Sequence, residues 1–562
     1  LKPEVQETKK PPSTINKNTM SFFIYPPSVL KVTLNTESQA TRSGHSINID
    51  PLIVISGREF NTDLAGITDE DLKVDNNDHG IRLGIIQQGI YFNYDYGKGK
   101  NWPFQLIQNL NADMFSGYMH DAKPLNGGSH NSDYNLQDGW NSAMWGHTYA
   151  YVFPQIYQSE QFTRTGQPAF FGITKILKVA VMHRVTDYYG PIVYTNFADP
   201  KGEYLPDSQE KVYNEFFLEL DTAVTALADY IERKPDASEF ARFDILLDGE
   251  YSSWIKFANS LRMRLAMRLA VVSPDKARME FVKAFENSYG VFETSDEQAA
   301  VSTQGGYSNP LGELNLVWKE TYMSASMESI MNGYDDPRRK SYFTHCSADE
   351  LKQEYRGIRQ GTCFAHNRYN VLSKLTVTQA TDAVLMTAAE VWFLRAEAAL
   401  RGWTSEEESD CYENGVTVSF QQHNVTQVDE YLNSDKVASD FIDVYDPENN
   451  IEARCLVSPR WIEEADDEVK LEKIITQKWL AIFPEGCEAW AEQRRTGYPR
   501  LFPVRFNNSK NGCIDTETMI RRLNFPGSLI TENESQYRAL VDALGEEDNA
   551  GTRLWWDTGR NW

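Results

Sequence analysis

The stretch VLMTAAEVWFLRAEAALRGW, residues 384–403, decides how this chain is read. Its apolar residues Leu385, Ala388, Ala389, Trp392, Ala396, Ala399 and Leu400 recur at three- and four-residue spacing, which puts them on one stripe of a helix. That stripe has to face a neighbour. Alanine dominates it, so a partner helix can approach closely while Trp392 projects a large ring into the seam. Glu397 and Arg401 stand four apart with the acid first, the favourable order for an exposed ion pair. Gly402 then takes a left-handed conformation without steric cost and ends the helix. Such a helix packs on other helices, so the expected fold is mostly α.

Residues 471–495, LEKIITQKWLAIFPEGCEAWAEQRR, repeat the pattern. Ile474, Ile475, Trp479 and Ile482 share a face, and Pro484-Glu485-Gly486 divides the run into two helices. The wording AEVWFLRAEAALRGW at 389–403, with QKWLAIFPEGCEAWAEQRRTGYPRL at 477–501, resembles the outer-membrane lipoproteins of the SusD/RagB type. DYYGPIVY at 187–194, WIKFANSLRMRLAMR at 254–268 and YDDPR at 334–338 agree, and the similarity runs from about residue 80 to the end. The resemblance implies a tetratricopeptide-like scaffold of helix hairpins. It also implies a surface lipoprotein that captures a nutrient without turnover or cofactor and presents it to a TonB-dependent transporter of the SusC type. An oligosaccharide or polysaccharide is the implied cargo, with peptides as the other ligand class. The outer-membrane anchor it implies is an N-terminal lipid that this chain does not carry.

Around these helices the 562 residues divide into three parts. Residues 1–19, polar and proline-bearing, read as a flexible tether. Residues 20–68 contain FFIYPPSVLKVTLNT and SINIDPLIVIS, whose β-branched and aromatic residues broken by prolines predict an extended or β segment. Residues 69–562 form the body. Amphipathic runs predict helices at 140–158, 168–189, 209–233, 251–272, 275–288 and 405–423, and a loop-rich region fills about 290–380. The aromatic tail at 554–556 is expected to pack back onto the body.

A net charge of −25 argues against nucleic acid and anionic membrane surfaces as partners, since both need a basic patch, and favours a neutral ligand. No apolar run reaches the roughly 20 residues that span a bilayer. The six cysteines form no pair at zinc-like spacing, and buried free thiols are the favoured reading over disulfides.

No spacing in the chain matches a HExxH, Walker A, GxSxG or dinucleotide-binding motif. The run DNNDHG at 75–80 comes near a calcium loop, but its twelfth position is Ile86 where a bidentate glutamate belongs, so a solvated acidic turn is expected and no metal site. The main enzymatic alternative is an α-helical glycoside hydrolase, because acidic pairs across a sugar cannot be placed from sequence. The better candidate is the long polar loop at 120–139 with its flanks. Tyr118, Tyr134 and Trp140 offer ring faces, while Asp121, Asn126, Asn131 and Asp138 offer polar edges; neutral polyols need both. Tyr307, Asn309 and Trp318 form a second set, with Trp318 at an apparent helix start and core packing as its simpler role. In YDDPR, Asp336 before Pro337 reads as a turn whose acids pair with Arg338. Arg494 and Arg495 read as partners for buried carboxylates such as Glu390 or Glu492.

Overall fold

The computed structural model describes residues 77–91, 102–122, 131–199, 201–362 and 368–562. The tether at 1–19, the extended segment at 20–68, Asn126 and Cys363 lie outside the described residues.

Twelve helices carry the argument. They are α1 (Asn77–Ile90), α2 (Phe153–Thr163), α3 (Pro168–Tyr189), α4 (Gln209–Arg233), α5 (Tyr251–Arg268), α6 (Pro274–Phe285), α7 (Ala325–Tyr334), α8 (Ala388–Leu400), α9 (Glu408–Gln422), α10 (Asp467–Ala481), α11 (Gly486–Thr496) and α12 (Glu534–Leu544). From α2 to α6 each helix packs against the next, so the chain runs as a series of helix hairpins, and α1 lies across α2 and α3. Proline opens α3 and α6, where the first-turn N–H groups have no partner to lose. Ser208 caps α4 by accepting from the Lys211 N–H.

The stretch at 384–403 departs from the expected single helix in its start and in its packing. Residues Ala383–Thr387 form a strand, β4, which pairs antiparallel with β2 (Gln298–Val301), and only then does Thr387 cap α8 by accepting from the Glu390 N–H. Backbone pairing with β2 outweighs helical spacing over these residues, because the ladder gives partners to the peptide groups on the edge of the strand that faces β2. Nor does α8 bury one stripe. It is enclosed by α5, α9 and α10, so Glu390, Val391, Phe393, Leu394 and Glu397 are buried while Trp392 stands at the rim. There the Arg395 guanidinium lies 3.6 Å from the centre of the Trp392 ring, whose Nε1 donates to the Glu293 carbonyl. The Glu397–Arg401 pair forms at 2.8 Å but is buried, not exposed. Gly402 is left-handed, with φ of 68°.

The division at Pro484-Glu485-Gly486 appears as the break between α10 and α11. One continuous apolar core runs from Leu83 to Trp556, with Trp254, Trp479, Trp490 and Trp556 fully enclosed. The tail does pack back: Trp556 Nε1 donates to Asp187 at 2.9 Å. A smaller core of Tyr322, Cys346, Ile358, Tyr369 and Leu372 supports the loop-rich region. Cys346, Cys411, Cys455 and Cys487 are buried free thiols and Cys513 is a half-buried one. Asp78 and His79 belong to the first turn of α1, so the expected acidic turn is the start of a helix. Among the described residues no helix is long and apolar enough to cross a membrane.

A candidate ligand-binding face

The two loop regions singled out in the sequence meet. Strand β1 (Met119–His120) pairs antiparallel with β3 (Tyr322–Met323), Met119 opposite Met323 and His120 opposite Tyr322. Each strand is preceded by a π-helical turn, Gln105–Asn109 on one side and Leu314–Trp318 on the other, a conformation that widens a helix and recurs at functional sites. The Gln105 side chain donates to Glu320 and joins the two segments. Asn315 pins the second turn, its Nδ2 donating to the carbonyls of Leu375 and Val377 at 2.8 Å each. Lys319 ends that turn in the left-handed region, with φ of 58°.

With Asn315 held inward, the turn shows Leu316 and Val317 to solvent, 46% and 55% exposed, and leaves Trp318 half-buried. Trp102 is 42% exposed, its ring edge-on to His147 at 5.4 Å. Beside it opens an apolar cavity of about 240 Å³ between Trp102, Leu106, Trp145, Tyr149, Pro526 and Leu529. Trp140 is half-buried in the short helix Asp138–Asn141, and Asp138 accepts from the Gly527 N–H at 3.1 Å. These segments offer exposed indole and aliphatic surface, with a cavity beside Trp102, which suits an amphipathic ligand with flat apolar faces.

A sequence model of the SusD-like family, described as Susd and RagB outer membrane lipoprotein, matches residues 59–557. The chain belongs to this family. A SusD homologue from Bacteroides vulgatus is 45% identical, with a TM-score of 0.82 over 87% of this chain and 99% of that one. A chitin-binding SusD homologue from Flavobacterium johnsoniae is 40% identical, with a TM-score of 0.81 over 85% of this chain and 99% of that one. A SusD homologue from Bacteroides uniformis is 32% identical, with a TM-score of 0.78 over 85% and 99%. No curated protein matches the chain.

Within this SusD-like chain the sequence-derived candidates separate by burial. Tyr118 is enclosed; its hydroxyl donates to the Trp479 carbonyl and its ring packs on Trp479 and Phe483, so no ring face is left for a ligand. Asp121 is enclosed 3.1 Å from His120 Nδ1. Asn131 is buried and knits the loop end to the body, its Nδ2 donating to Leu110 O, Asn111 Oδ1 and Asn141 Oδ1. Tyr134 is buried with φ of 66°, and burial pushes its phenol above the ordinary range. Tyr307 is buried too, and its hydroxyl has no hydrogen-bond partner among the described residues. Asn309 caps the helix Pro310–Glu313, accepting from the Leu311 N–H and donating to the Thr381 carbonyl. Trp140 and Trp318 remain at the surface, and Trp318 ends its turn instead of starting a helix.

Trp102, Leu316 and Val317 are surface groups that sequence reading passed over. The available signal was the run Leu316-Val317-Trp318, three large apolar residues in a row inside a loop-rich region. Helical alternation would have buried part of such a run.

The charged motifs are structural. Asp336 and Arg338 form a fully buried pair at 2.6 Å, and Arg338 also donates to Ser419, Tyr431 and Gln477. Arg495 bridges Glu397 and Glu492, whereas Arg494 stacks on Trp490 and donates to the carbonyls of Asp187 and Arg521. Glu390 takes Arg264 as its partner at 2.6 Å. Among the described residues no cluster of His, Cys, Asp and Glu is arranged to hold a metal ion.

Proposed function

We propose that this SusD-like chain is a cell-surface lipoprotein that captures an oligosaccharide or polysaccharide at the face carrying Trp102, Trp140 and Trp318 and delivers it, uncleaved, to a SusC-like TonB-dependent transporter. The observation that carries the reading is the exposed aromatic and aliphatic surface of Trp102, Leu316 and Val317 on the two segments that the Gln105–Glu320 hydrogen bond joins. Sugar rings present flat CH faces that stack on indole, while their hydroxyls stay in water or meet polar loop edges. The description of a homologue 40% identical over 85% of the chain as chitin-binding supports a glycan ligand, with N-acetylated sugars among the first to try. The family's description as outer membrane lipoproteins supports the location.

Affinity electrophoresis across a polysaccharide panel that includes soluble chitooligosaccharide competitors tests this reading. Retardation by a glycan that weakens roughly tenfold in Trp102→Ala or Trp318→Ala is the expected result. Retardation by none of the panel, or equal retardation of both variants, overturns the assignment of the face. Release of reducing ends from the retained glycan would make the protein a hydrolase instead.

A further inference from the structure

A second cavity, of about 630 Å³, lies elsewhere and shares no residue with the cavity beside Trp102. Its walls are the end of α7 with the YDDPR turn and the short helix Arg339–Tyr342 that follows, the segment at 345–355, and the segment at 427–436. In a chain of net charge −25 its lining is unusual, because Arg339, Lys340 and Lys436 converge there with His345. The acids facing them are few. Asp336 is spent on Arg338 at 2.6 Å, and Glu430 stands exposed at the rim. Asp335 is 64% exposed and reaches Arg339 at 3.4 Å and Lys436 at 3.3 Å, both long for charge-assisted bonds.

These cations have donors to spare. Arg339 gives Nη1 to Asn332 at 2.7 Å and to the Met331 carbonyl at 3.4 Å, which leaves Nη2 with only the long bond to Asp335. A guanidinium has five N–H donors and an ammonium three, so a single exposed carboxylate does not saturate the pair. The wall beside them is aromatic: the Arg339 guanidinium lies 4.7 Å from the centre of the Tyr355 ring, and Tyr355 packs on His345 at 4.4 Å. Gln353, at the rim, is held in the left-handed region with φ of 78°, a conformation that non-glycine residues adopt at a cost and that gathers at ligand sites.

We propose that this cavity is a second saccharide site, one that takes an acidic sugar unit: its carboxylate seats between Arg339 and Lys436 in place of Asp335, and its ring lies along Tyr355 and His345. It rests on the reading of the protein as a saccharide binder but on none of the residues of the aromatic face. A neutral sugar leaves the cations unanswered. The acidic unit is therefore selected by charge, and the overall negative surface keeps anions away from everywhere else.

Titration calorimetry of the full chain with galacturonate and glucuronate trimers, a neutral galactose trimer and a triglutamate peptide tests the site. One acidic trimer should bind, with an affinity that falls at high salt, and the neutral trimer should not. Arg339→Gln and the exposed Lys436→Gln should each weaken binding about tenfold, whereas Asp335→Asn, which removes the competing carboxylate, should tighten it severalfold. Trp102→Ala should leave these values unchanged. Binding by neither acidic trimer overturns the proposal, as does binding indifferent to Lys436→Gln and Asp335→Asn. Equal or tighter binding of triglutamate with the same dependence on these variants reassigns the cavity to peptide carboxylates. Loss of acidic-trimer binding in Trp102→Ala alone moves the ligand to the aromatic face. Failure of the aromatic face in electrophoresis leaves this readout intact.

Discussion

Glu488 shows what single residues do in this protein. It sits fully buried among Arg268 at 2.5 Å, Lys478 at 3.1 Å and Arg264 at 3.5 Å, where helices α5, α10 and α11 meet. Burial by itself would raise its pKa, but Arg268, Lys478 and Arg264 more than offset that and hold it at about 2. A carboxylate depressed in the folded state stabilises the fold fully above its unfolded value near 4.5, and that contribution is lost as the pH falls toward 2. Glu488→Gln should therefore lower the unfolding free energy at neutral pH, by roughly 3–5 kcal/mol for a broken buried pair, and flatten the decline of stability on the acid side. Urea titrations of both proteins from neutral to acid pH decide it; an unchanged acid slope would assign the acid sensitivity to other carboxylates. The same scale separates the candidate binders. Tyr and Asn residues in the loop looked equivalent to Trp140 in sequence, yet Tyr118, Asn131 and Tyr134 turn inward, because a loop carried over a helical body needs its own anchors.

Among elements, the junction of α7 with residues 437–439 is the most demanding. A Cβ built on Gly333 would lie 2.4 Å from the Ser439 nitrogen and the Val437 carbonyl oxygen, so helix and loop touch backbone to backbone. In an isolated helix Gly333→Ala would gain about 1 kcal/mol of propensity. Here the clash with main chain should reverse the sign, with a net loss of roughly 1–3 kcal/mol read as a lower melting temperature. Because the same contact positions Lys436 beside Arg339, the substitution should also weaken acidic-sugar binding, which calorimetry would register. Helices 168–189 and 209–233 were legible to the residue, since proline and serine mark their starts and long periodic runs follow. The strand at Ala383–Thr387 was not, because its partner at Gln298–Val301 lies far away in sequence.

At the scale of the whole molecule, the C-terminal tail closes the body. Trp556 is enclosed, lies over Arg268 and Arg494, and donates to Asp187, which also accepts from Tyr213. Trp556→Ala should cost about 3–5 kcal/mol through the cavity it opens, and more if Asp187 is left short of a donor. Thermal unfolding of the variant beside Trp555→Ala, whose ring is only half-buried, measures this; equal losses in the two would mean that the tail does not anchor the body.

The family, the helical class and most helix limits were legible in the chain because they rest on local spacing, capping residues and stretches of shared wording. Tertiary structure alone decided which aromatic residues face water, how the loops at 120 and 318 meet through a two-residue ladder, and that α8 is buried on nearly every side. It also gathered three cations, from positions 339, 340 and 436, around one cavity. Such outcomes depend on pairs of residues far apart in sequence, and an amphipathic pattern records how apolar a position is, not which neighbour will cover it.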